Sequence, residues 1–78
     1  MAIYSMSKTY TPVELSILEF GGLRKLAKAV GRDPAAVSRW KRNGTVPTSV
    51  QKHLLEVAWS KGLTITAHEI VFGRLYDD

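Results

Sequence analysis

The feature that most constrains this chain is how often it interrupts itself. Along its 78 residues come Thr11-Pro12-Val13-Glu14, Gly21-Gly22, Gly31 with Asp33-Pro34, Asn43-Gly44, Thr48-Ser49-Val50-Gln51, Gly62 and Thr66-Ala67-His68-Glu69. Threonine or aspartate can satisfy the orphan amides at a helix start, and proline suits the first helical position because its missing N–H has no partner to lose. Glutamate or glutamine three residues on completes a capping box. Glycine ends a helix in the left-handed backbone at no steric cost. This punctuation predicts short helices over residues 12–20, 23–30, 34–42 and 48–61, with a brief fifth from about 67. Residues 1–10 lack a helical period and are expected to form a flexible arm or a short edge strand; residues 11–78 are expected to form one domain.

Within these segments the apolar spacing assigns inward faces. In the first helix Val13, Ile17, Leu18 and Phe20 count simply as apolar residues. Leu23, Leu26, Ala27 and Val30 recur at i, i+3, i+4 and i+7, the pattern of one buried helical face. Val37 and Trp40, three apart, anchor the third helix; Val50, Leu54, Val57 and Ala58 line the fourth. Leu55 and Trp59 form a second stripe there, and Ile70 with Phe72 belongs to the fifth helix. The expected fold is all-α, a compact bundle of four to five short helices.

Several function classes lose their residues at this stage. There is no cysteine, and His53 and His68 are the two histidines, so no metal site or cofactor is expected. Apolar runs such as Val57-Ala58-Trp59 are far too short for a bilayer, and no signal peptide is read at the N-terminus. The expected address is the cytoplasm. Ser38, His53 and Glu56 could suggest a hydrolase, but no oxyanion loop or strand-borne nucleophile accompanies them. The chain is expected not to be an enzyme, and His53 to be a half-buried structural residue.

Charge is concentrated rather than dispersed. Between Leu23 and Asn43 seven cations face Asp33 alone, a net +6, whereas the rest of the chain carries four cations against six carboxylates, a net −2. Such focusing fits a polyanionic partner. The bland alternative is a solvated basic surface.

The basic segment also meets the steric demands of two helices crossing at a tight turn. Ala27 is small where the second helix must pass, Gly31 supplies the positive φ of the turn, and Leu26, Val30, Val37 and Trp40 provide the seam. Leu26-Ala27-Lys28-Ala29-Val30-Gly31 followed by Pro34-Ala35-Ala36-Val37-Ser38-Arg39-Trp40 resembles the Cro-type and related prophage repressor family of helix-turn-helix regulators. In that family an L-A-x-x-x-G segment precedes a P-x-A-V-S-x-W recognition helix. Val46-Pro47 and the segment from Leu63 to Glu69 extend the similarity, which covers roughly residues 20–72. The chain departs from the family at Arg32, where an apolar residue is common, and at Leu23, where glutamine often holds a phosphate. The resemblance implies a lambda-repressor-like or Cro-like fold, a bacterial host cell, and repression by a homodimer bound to a palindromic double-stranded DNA operator.

On that reading the side of the third helix opposite its anchors enters the major groove. Pro34, Ala35 and Ala36 allow close backbone approach, and either alanine could touch a thymine methyl. Ser38 can donate or accept, Arg39 suits a bidentate contact to guanine, and Arg42 reaches a base or a flanking phosphate. Arg24, Lys25, Lys28, Lys41, Asn43, Thr48 and Ser49 are the expected phosphate contacts. Leu55, Trp59, Ile70 and Phe72 are either a second core face or a dimer interface. Two other functions stay open: a protein-interaction module or antitoxin-type regulator on the same fold, and an architectural DNA binder, which would normally need a β-wing.

Overall fold

A computed structural model describes residues 7–77. Five helices follow one another: α1 (Pro12–Phe20), α2 (Leu23–Val30), α3 (Pro34–Asn43), α4 (Thr48–Ser60) and α5 (Ala67–Phe72). They are flanked by two strands, β1 (Ser7–Tyr10) and β2 (Arg74–Asp77), paired antiparallel with Ser7 opposite Asp77 and Tyr10 opposite Arg74. The helices surround one core, to which every helix contributes: Val13, Leu15 and Phe20, then Leu26, Ala27 and Val30, then Val37 and Trp40, then Val50, Leu54, Leu55 and Ala58, and finally Ile70. Val46 and Ile65, from the connectors either side of α4, complete it.

The helix starts follow local chemistry. Thr11 Oγ1 accepts from Glu14 N at 3.1 Å while Thr11 N donates to Glu14 Oε1 at 3.1 Å, and Thr66 with Glu69 repeats the arrangement at 3.1 and 3.0 Å. Asp33 Oδ1 accepts from Ala35 N at 2.8 Å, just ahead of Pro34. At Gly31, φ is +70° and the N–H donates to Lys28 O, while Arg32 N donates to Ala27 O at 2.9 Å. These two bonds close α2 with a Schellman-type cap, and α3 begins three residues later.

Three expectations are corrected, and α1 adds a detail that apolar spacing did not supply. In α1 the buried face is Pro12, Val13, Leu15, Ser16 and Phe20, whereas Leu18 is 57% exposed and Ile17 half-buried. The hydroxyl of Ser16 donates to Pro12 O at 2.8 Å, so a polar residue occupies the centre of the face without an orphaned group. That hidden serine interrupts the apolar spacing of the helix. The expected capping box at Thr48 does not form: Pro47 stands at the N-cap and Gln51 Nε2 instead donates to Val46 O at 3.1 Å. His53 is exposed rather than half-buried, on the outer side of α4. Finally, β2 occupies a segment for which no strand was expected; its partner β1 lies at the other end of the chain.

The strand pair is fastened to the helices by Arg74. Its Nε donates to Glu69 Oε2 at 2.7 Å and its Nη2 to Glu69 Oε1 at 3.2 Å, with Glu19 of α1 3.9 Å away. The hydrogen-bonded guanidinium holds the Glu69 carboxyl below its usual range against the opposing effect of burial, and the same contact raises Arg74. Gly73, between α5 and β2, has φ +84° and ψ −169°; a Cβ there would collide with the Tyr10 carbonyl oxygen. Among the described residues no helix is long and apolar enough to cross a membrane.

Candidate nucleic-acid interface

The basic segment becomes α2, a three-residue turn and α3. Val37 (fully buried) and Trp40 (7% exposed) turn into the core, and the two helices pack against each other. A helix with anchors three apart presents its other side about half a turn away. Ala35, Arg39 and Arg42 are exposed there, with Ser38 half-buried beside them. Pro34 is half-buried. Ala36 is also half-buried and packs against the core, so its Cβ belongs to the flank of the helix rather than its outward side.

Arg24, Lys25, Lys28, Arg32, Arg39, Lys41 and Arg42 are all exposed, and none has a carboxylate partner among the described residues. Asp33, the one acid within the segment, caps α3 with its side chain. Arg32 is exposed, so its stem does not fill the seam behind the turn. The result is a strip of exposed cations with no ion-pair partner among the described residues. Inside a groove with low-dielectric walls such a strip concentrates anions.

The expected phosphate contacts do not converge on one place. Lys41 leaves the outward side of α3 and lines a groove of about 480 Å³ with Thr9, Tyr10, Glu14, Ile17 and Leu18. Lys25 and Lys28 line a different groove, between α2 and α4, in which they are joined by Lys61. Lys61 was missed because it lies outside the basic segment, and only the packing of α4 on α2 brings it in. Arg24 and Asn43 are exposed. Thr48 and Ser49 are exposed at the start of α4, which has no side-chain cap; its first turn leaves amides facing outward as an anion-friendly end.

The candidate dimer residues separate into two kinds. Leu55 (7% exposed) and Ile70 (1% exposed) are core and cannot meet a partner without opening the bundle. Trp59 is 54% exposed with Nε1 donating to Ile65 O at 2.7 Å, and Phe72 is 71% exposed with its ring 4.8 Å from that of His68. Stripe spacing on α4 could not tell these apart, because Leu55 is covered by neighbours far along the chain. Among the described residues no three histidine or carboxylate side chains are grouped to hold a metal ion. Comparison with known proteins leaves the geometry to speak alone: no protein-family model matches the chain, nor does any curated protein or solved structure.

Proposed function

We propose that this protein is a sequence-specific double-stranded DNA-binding regulator, with α2 and α3 as a helix-turn-helix and α3 as the helix that enters the major groove. One observation carries the reading: Val37 and Trp40 pin α3 inward while Arg39 and Arg42 stand outward with no carboxylate partner among the described residues. Charge draws the protein to the phosphate backbone by releasing counterions, a contribution blind to sequence. Base edges are then read by Arg39, with Ser38 and Ala35 beside it and Arg42 one turn on. Ala35 gives the backbone room to approach, and the uncapped start of α4 offers amides to a neighbouring phosphate. Two copies on a palindromic operator would set their reading helices about 34 Å apart, one helical turn of DNA. Such a complex would repress a promoter by occupying it, as in the Cro-type family the motif resembles.

Selection of bound fragments from a random duplex pool tests this directly, and is expected to return a palindromic site. Arg39→Ala should relax discrimination at one base pair per half-site by about 1–3 kcal/mol. Lys28→Ala should weaken all sequences alike and reduce the salt slope by about one unit. Uniform weakening by both variants would remove Arg39 as a base reader, and a pool that yields no enriched site would remove the reading altogether.

A further inference from the structure

Lys61 is distant in sequence from the basic segment but borders it in space. It lines a groove of about 520 Å³ with Lys25, Lys28 and Ala29 of α2 and Val57 and Ser60 of α4. Three lysines thus line one concavity, the ammonium end of Lys25 lying towards Gly21 at the α1–α2 turn, and among the described residues no carboxylate shares the lining. Ala29 and Val57 are half-buried, an apolar floor along which lysine stems can lie while their charged ends stay in water. The end of α4 does little to neutralise them. Its carbonyls are already taken: Val57 O accepts from Ser60 Oγ and Lys61 N, Ala58 O from Lys61 N and Leu63 N, and Trp59 O from Gly62 N. A concave site lined by one sign of charge focuses the field and gathers counter-ions.

We infer that the groove between α2 and α4 is a second phosphodiester-binding site, in which Lys61 joins Lys25 and Lys28 on the DNA backbone flanking the segment read by α3. The inference rests on the DNA-binding reading and adds to it a residue from outside the basic segment. It makes α2 the shared wall of two contacts, with the reading helix on one side and a backbone clamp on the other. The clamp carries no sequence information. It supplies affinity through the phosphate backbone.

The test uses the full chain and a fluorescent duplex of random sequence, about 20 base pairs long, titrated from about 50 to about 300 mM KCl. Lys61→Gln is expected to lower the slope of log affinity against log salt by about 0.9, and replacing all three lysines by glutamine to lower it by about 2 to 3. Base preference in the random-pool selection should not change for Lys61→Gln. Lys52→Gln, on the exposed side of α4 outside the groove, is the control and should leave the slope as it was. Circular dichroism melts confirm that each variant is folded. An unchanged slope in Lys61→Gln, or an equal fall in Lys52→Gln, overturns the clamp while leaving the DNA-binding reading intact. A wild-type chain that ignores duplex at low salt overturns both. If that chain instead binds polyglutamate through these lysines, the groove belongs to an acidic protein partner and the inference fails.

Discussion

Arg74 and Arg39 are both arginines near the surface of a small basic protein, yet the fold uses them in opposite ways. Arg74 is held by two hydrogen bonds to Glu69 and approached by Glu19, so its charge is consumed in tying β2 to α5 and α1. Arg39 stands on the outward side of α3 with no carboxylate partner among the described residues, and the six other cations of α2, α3 and their turn share that condition. At the strand end of the molecule Glu69 and Glu19 both face Arg74. The α2–α3 end has Asp33 alone, and that carboxylate is committed to capping a helix. Charge neutralised internally serves the fold, and charge left open is available to a partner. Like charges at close range cost stability, so an uncompensated strip is a feature the fold carries rather than one it needs.

The largest effect expected from breaking this contrast comes from the buried side of α3. Trp40→Ala removes the ring that anchors the helix and should cost about 3–5 kcal/mol, enough to unfold much of a domain this small. Urea denaturation measures it, and a loss below about 1 kcal/mol would mean that α3 is not held by its anchors. Next comes the joint between α5 and β2. Gly73→Ala places a Cβ against the Tyr10 carbonyl in a backbone region that only glycine occupies comfortably, and should cost about 2–4 kcal/mol. Hydrogen exchange should show that loss at the strand pair first, with the α2 and α3 amides protected for longer.

The third prediction concerns the Arg74–Glu69 ion pair alone. Glu69→Gln keeps a residue able to complete the capping box with Thr66 but removes the charge that faces Arg74, and should cost about 1 kcal/mol at neutral pH. Its pH dependence follows from the direction of the shift. The carboxyl is lowered in the folded state from an ordinary value of 4.5, chiefly by the hydrogen bond from Arg74, so the folded state holds the proton less tightly than the unfolded one. The stabilisation is complete above the unfolded value and disappears as pH falls through the lowered folded one. The gap between wild type and Glu69→Gln in urea midpoint should therefore close as pH falls from the ordinary value of 4.5 through the lowered folded one. A gap that widened in acid would assign Glu69 another role. The smallest effect belongs to the open strip: Arg39→Gln should raise stability by about 0.2–0.5 kcal/mol at low salt by relieving repulsion with Arg42, three residues on, and the gain should vanish at high salt. A loss above about 1 kcal/mol would show that Arg39 has structural work to do, and the contrast with Arg74 would fall.

Much of the arrangement was legible from residue order because it is local. The caps at Thr11, Asp33 and Thr66, the stop at Gly31 and the inward pair Val37 and Trp40 depend on neighbours within one turn of helix, and the structure has each where its spacing placed it. Once two residues three apart must face inward, the exposure of Arg39 and Arg42 follows from helix geometry. What residue order left open depends on partners distant in the chain. Ser16 is buried because Pro12 accepts its proton and the rest of the bundle closes over it. Leu55 and Ile70 are core, while Trp59 and Phe72 are exposed, because other helices cover one pair and not the other. The strands are four residues each, too short for alternation to register, and they exist through pairing between opposite ends of the chain. Lys61 meets Lys25 and Lys28 only because α4 lies against α2. Short-range stereochemistry wrote the helices and the outward side of α3; long-range burial decided which remaining side chains share a core, a strand pair or a groove.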